Sequence, residues 1–182
     1  VSMMKSSGTN LDPFIKNGKL RILSRLPQGA GPMEHLHEDI RNLEEQQANH
    51  LIVDAASACK GMGSEEAAFS YLLRLLHYCR KRGITIILIQ QNMGSQQPQE
   101  IFQINYSSLI DTIVVLDFVY IGGEVNRTVL VLKFRGSEHS NQHFEFLITP
   151  KGVKFSEIYT GKGGMLTGTA RLEQEYEQKL EA

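Results

Sequence analysis

At 182 residues and a formal net charge of −1, the chain has room for one domain plus an appendage. It carries no global field that would recruit nucleic acid or an anionic membrane. Hydrophobic residues make up 41% of it, enough for a sizeable core, and no apolar run approaches bilayer-spanning length.

Cys59 and Cys79 are the only cysteines, and read as buried free thiols they imply a reducing cytoplasm. No signal peptide opens the chain, which starts at Val1 with sequence that reads as mid-domain and suggests a piece of a longer protein.

In chain order, "GKLRILSRL" predicts a strand over Leu20 to Leu26, closed by the Gly/Pro break "PQGAGP". A helix follows from Met33 to about Gln47, with Leu36, Ile40 and Leu43 as its apolar stripe. "HLIVDAAS" reads as a short buried parallel strand of Leu51, Ile52 and Val53 ending at Asp54. After the loop "KGMGS", Ser64 caps a helix expected to bury Phe69, Leu72, Leu73, Leu76 and Cys79 and to stop at Gly83. "ITIILIQQ" is the next core strand, and the polar loop "NMGSQQPQEIFQINYSS" follows it.

The pattern then changes. "IDTIVVLDFVY", the turn "IGGEVN" and "RTVLVLKF" predict a long antiparallel hairpin, and "FEFLITPKGVKF" a shorter one. The tail from about Leu166 to Ala182 reads as a charged helix, with Leu172, Tyr176 and Leu180 at four-residue spacing. The fold class is therefore α/β: a mostly parallel sheet flanked by helices, with antiparallel hairpins at one edge. Residues 1–160 form the domain, and 161–182 a linker and exposed helix.

Ligands of such sheets bind beyond the carboxyl ends of the parallel strands, where Asp54 and Gln90/Gln91 lie. Apolar residues running into an aspartate, as in "LIVD", match the Walker B pattern, whose carboxylate holds Mg²⁺ opposite nucleotide phosphates. The alternative is an aspartate that simply ends a strand and starts a turn. Gln90 at the next strand end is suited to sense a γ-phosphate or orient a water. No phosphate-cradling G-x-x-x-x-G-K-[ST] loop exists here. The Gly-Lys pairs at Gly18 and Gly161 have Pro13 and Ser156 where the first glycine belongs.

"LKFRGSEHS" presents Lys133, Arg135, Ser137 and His139 around Gly136. If the extended pattern continues, Lys133 and Arg135 share a face, with Ser137 and His139 close beyond. Two cations, a hydroxyl and an imidazole suit a triphosphate. Glu65 and Glu66 sit in a first helical turn and suit the helix dipole better than catalysis. His35 and His37 are two apart on a helix and poor joint metal ligands, and His139 and His143 lack a cysteine pair to make a zinc site.

"LKFRGSEHSNQHFEFLITPKGV" resembles the signature of the KaiC family of RecA-type ATPases and autokinases, named for a circadian-clock protein. "LDPFIKNGKLRIL", "HLIVDAAS", "LLRLLHYCRKRGITIILIQQ" and "SSLIDTIVVLDFVYIGGEVNR" are similar to successive family segments in the same order. The likeness runs to about Val153 and is nearest the family's second, C-terminal domain. It implies ATP and Mg²⁺ bound between the subunits of a homo-oligomeric ring, a hexamer by that resemblance. It further implies that Asp54 supports Mg²⁺ and that Lys133, Arg135, Gly136, Ser137 and His139 reach the neighbouring subunit's phosphates. Ser107 and Ser108 fall at the family's phosphoacceptor positions, although a turn-capping role is the plainer alternative. The tail is similar to helical extensions that suit a protein partner.

The chain departs from the family in lacking the P-loop and the paired glutamates, so these residues alone are expected to be catalytically inactive. A non-catalytic, nucleotide-responsive signalling module is the competing reading. A recombinase- or helicase-type DNA-dependent ATPase is disfavoured, because "NMGSQQPQE" carries no Lys or Arg for DNA.

Overall fold

The computed structural model of the protein describes residues 2–91, 109–121, 124–157, 159–161, 164–166 and 176. They fall into two compact units, one of Pro13–Asn105 and one of Val1–Asp12 with Tyr106–Ala182. Two short helices come first, α1 (Ser2–Ser6) and α2 (Asp12–Lys16).

The Pro13–Asn105 unit is built from α3 (Pro32–Gln46), β1 (His50–Asp54), α4 (Glu65–Arg82) and β2 (Thr85–Ile89). Pro32 opens α3, and the Glu34 carboxylate accepts the Gly31 N–H at 2.9 Å, satisfying a donor that a helix start leaves unpaired. Ser64 caps α4 by accepting the Ala67 N–H at 3.2 Å. Glu65 and Glu66 complement its N-terminus, Arg80, Lys81 and Arg82 its C-terminus, and Gly83 ends it at φ 68°.

The helices pack together over Leu36, Leu43, Ala68, Tyr71, Leu72, Leu75 and Cys79. The buried face of α4 thus centres on Leu72 and Leu75, and Leu73, expected inside, is rotated off it and exposed. Phe69 and Leu76 are half-buried at its margins. Cys59 and Cys79 are buried free thiols.

β1 and β2 pair in parallel from His50–Thr85 to Asp54–Ile89. The apolar run of β1 was expected to be buried throughout. Instead Leu51 and Val53 are half-buried while Ile52 is 59% exposed, as are Ile87 and Ile89 in part, because helices cover one face of the pair. The strand expected at Leu20–Leu26 does not form. Among the described residues no strand pairs with it, its Leu20 N–H going to the Phe14 carbonyl at 2.9 Å, and a strand exists only through such pairing. Side chains tether the segment instead: Arg21 to Glu45 at 3.2 Å, and Arg25 to Glu38 at 2.9 Å and to Asp39.

The second unit holds a four-stranded antiparallel sheet in the order β3 (Thr112–Ile121), β4 (Glu124–Phe134), β5 (Phe144–Thr149), β6 (Gly152–Glu157). Both hairpins stand where the sequence predicts them. A short pair, β7 (Tyr159–Gly161) with β8 (Gly164–Leu166), follows. The expected tail helix lies outside the described residues except for Tyr176, which is helical and exposed.

Residues opposite one another across a ladder share a face, and the register sorts this sheet unexpectedly. One row runs Asp117–Thr128–Glu145–Ser156 across all four strands, and its central members Thr128 and Glu145 are buried, 0% and 2% exposed. The opposite face carries Leu116, Phe118, Tyr120, Val125, Ile148, Val153 and Phe155, all exposed, while the Thr128–Glu145 face also holds half-buried Val115, Val119 and Leu130 and exposed Leu147. On that opposite face Arg127 lies over the Phe118 ring at 5.8 Å, and Phe146 meets Phe155 at 6.5 Å.

Candidate functional site

Two places gather the residues that chemistry singles out. In the first unit, Asp54 is the last residue of β1 and pairs with Ile89, the last of β2; Gln90 follows immediately. The parallel register therefore brings both polar groups to one sheet end, exposed to solvent. The Asp54 carboxylate makes no hydrogen bond among the described residues. An open carboxylate at such an end can take a hard cation or a water.

In the second unit, the ladder slips by one residue between Ile113–Lys133 and Val114–Val131, leaving Leu132 as the extra residue of a β-bulge. The slip decides where the cations go. Val125, Arg127, Val129 and Val131 line the apolar face, and an unbroken alternation would put Lys133 and Arg135 there too. With Leu132 inserted, Lys133 stands opposite Ile113, on the face that carries Asp117, Thr128 and Glu145. Lys133 and, through its pairing with Asp111, Arg135 thus share the Thr128–Glu145 face at its end. Such a re-aimed pair can neutralise an anion that two isolated surface cations could not hold together.

The extended pattern stops earlier than expected. β4 ends at Phe134, and Arg135 and Gly136 form a turn with Gly136 at φ 82°, a left-handed conformation that suits glycine. Ser137 and His139 therefore do not continue the strand face. Both are exposed beyond the turn, where the Ser137 hydroxyl donates to the Glu138 carbonyl at 3.3 Å. Ser107 and Ser108 lie outside the described residues.

Asp111 escaped the sequence reading. Its carbonyl accepts the Arg135 N–H at 2.8 Å, and its Oδ1 accepts from Arg135 Nη1 at 3.2 Å. Arg135 remains half-exposed in this pair rather than locked in a core. A hint was available: an acid just before a strand that pairs with the cation-bearing strand.

A second cluster was also missed. Asp39 sits on the inner side of α3, where it accepts from the Tyr71 hydroxyl at 2.5 Å and pairs with Arg25. Burial, and then the Asp39 hydrogen bond, push the Tyr71 hydroxyl far above its usual range. Burial, with Asp39 adding to it, pushes the Cys79 thiol up to about 11 and raises that of Cys59. Glu66 is held below its usual range by hydrogen bonding to Ser64 and to its own backbone. His35 is buried with Nε2 3.1 Å from the Pro27 carbonyl, a structural contact, while His37 is exposed. Among the described residues no three His, Cys, Asp or Glu side chains converge on a metal position.

The family model for the KaiC ATPase matches residues 1–159. The chain belongs to the KaiC family. Among curated KaiC proteins, the circadian clock protein KaiC2 of Synechocystis is 31% identical over 97% of this chain and 31% of its own length. The circadian clock oscillator protein KaiC of Thermostichus vulcanus is 28% identical over 90% of the chain and 32% of its own length. That of Synechococcus elongatus is 24% identical over the same shares, 90% and 32%. The chain thus spans about a third of the length of the KaiC relatives it matches. Its parallel strand pair, flanking helices and antiparallel sheet are the α/β architecture of a RecA-like KaiC domain. No helix among the described residues is long and apolar enough to cross a membrane.

Proposed function

We propose that this chain is part of an ATP-binding KaiC-type ATPase of signalling or clock type, in which ATP and Mg²⁺ lie between the subunits of a hexameric ring. The observation that carries the reading is the bulge at Leu132, which turns Lys133 and Arg135 together onto the Thr128–Glu145 sheet face in a chain of this family. Those two cations, with Ser137, His139 and the tight turn at Gly136, contact the triphosphate of the neighbouring subunit. Cations supplied across a boundary are effective because they stabilise charge that builds up during phosphoryl transfer.

The residues at hand fit ATP–Mg²⁺ in part. An open strand-end carboxylate and two adjacent cations are the donor types it requires, whereas the loop that cradles its phosphates has no counterpart in these 182 residues. Mg²⁺, when bound, neutralises phosphate charge. Asp54 supports it, and Gln90 orients the attacking water or reads the γ-phosphate on its own subunit. The 182 residues by themselves turn over no ATP. Autophosphorylation at Ser107 or Ser108 and a protein partner for the tail helix belong to the same reading, in a cytoplasmic setting.

The test is Arg135→Ala in the intact protein, read by ATP turnover and by light scattering of nucleotide-dependent assembly. Both should fall, turnover by about a hundredfold or more, as when a trans-acting cation is lost. Unchanged behaviour in both would sink the cross-subunit role.

A further inference from the structure

We infer that Asp111 is a positioning residue for Arg135, setting the direction in which its guanidinium leaves the sheet. The inference rests on the phosphate-gripping reading above. Asp111 stands opposite Arg135 one step beyond Thr112–Phe134, the terminal strand pair. It holds the arginine at two points: its carbonyl accepts the main-chain N–H at 2.8 Å, and its Oδ1 accepts from Nη1 at 3.2 Å.

The two contacts do different things. The main-chain bond fixes where the arginine Cα sits and persists whatever side chain occupies position 111. The carboxylate fixes which way the planar fork turns, removing rotamer freedom that phosphate binding would otherwise have to remove.

The bulge makes the pairing attainable. Without the extra residue at Leu132, position 135 would project from the face opposite Asp111. Gly136 then turns the chain at φ 82°, so Arg135 is where the ladder's hold ends. Both side chains are about half exposed, 51% for Arg135 and 59% for Asp111, so the pair contributes little to folding and much to direction. Asp111 acts on phosphate only through the arginine.

A double-mutant cycle on ATP turnover in the intact protein tests this. Asp111→Ala should lower kcat by about tenfold, and the isosteric Asp111→Asn by about threefold, with KM moving less than kcat. Asp111→Glu, which keeps the charge, should recover most of the loss. In an Arg135→Ala background none of these should have any further effect, because the group they orient is gone. Urea midpoints of the Asn variant should match the parent. Equal losses in both backgrounds, or full activity of Asp111→Ala while Arg135→Ala is impaired, would overturn the positioning role and leave the phosphate reading intact. A silent Arg135→Ala would overturn both.

Discussion

The two strand systems of this chain solve burial in opposite ways. In the Pro13–Asn105 unit the buried core is largely apolar: Leu72, Leu75 and Cys79 of α4 are almost fully buried, and among the described residues the polar groups that enter it are His35 and the Asp39 cluster. In the antiparallel sheet, Thr128 and Glu145 are buried while Leu116, Phe118 and Tyr120 face outward. Thr128 Oγ1 and Asn126 Nδ2 are buried with no hydrogen-bond partner among the described residues. The contrast separates stability from chemistry. The helical core stabilises through apolar area, whereas the Thr128–Glu145 sheet face mixes apolar residues with groups that matter for their charge, and the bulge at Leu132 adds Lys133 and Arg135 to that face.

The comparison is most easily broken by truncating one leucine in each region. Leu75→Ala, at a position 1% exposed, should cost about 3 kcal/mol in urea unfolding through lost transfer energy and the cavity left behind. Leu116→Ala, at a position 67% exposed, should change stability by less than about 0.5 kcal/mol. Similar costs at the two sites would mean that the outward sheet face is covered in solution.

A pH series sharpens the same contrast. The Cys79 thiol is pushed up to about 11 by burial from an ordinary value of 9.0, so from pH 9 to 11 the unfolded thiol ionises while the folded one stays protonated. The unfolded state then binds fewer protons, and stability falls as pH rises, by about 1.4 kcal/mol per pH unit at most. Cys59 and, above about pH 10, Tyr71 act in the same direction. Urea midpoints between pH 8 and 11 should decline, and Cys79→Ala should shallow the slope. An unaltered slope in that variant would remove Cys79 from the account.

A smaller effect than the core truncation concerns a helix end. Ser64→Ala deletes the acceptor for the Ala67 N–H and should cost about 1 kcal/mol, with Ser64→Asp close to neutral. A silent alanine variant would mean that water replaces the cap without loss.

Much of this molecule is written locally in its sequence. The stripe of Leu36, Ile40 and Leu43, the Ser64 cap and the Gly83 stop define two helices without reference to anything distant, because capping and 3.6-residue periodicity act within a few residues. Alternation and turn residues likewise delimit both hairpins, and "LIVD" puts its carboxylate at a strand end. The residues of the phosphate-gripping proposal were legible as types, and the family likeness as an ordered series of segments.

What depended on pairing was not legible. Leu20–Leu26 has the composition of a strand and lacks a neighbour to make it one. Asp39 looks like a solvated helix residue until Arg25 and Tyr71 converge on it from positions 14 and 32 residues away. On which face Lys133 and Arg135 emerge turns on one unpaired residue at Leu132. A one-residue slip inverts every side chain beyond it while leaving the composition untouched, so only the assembled ladder could decide it.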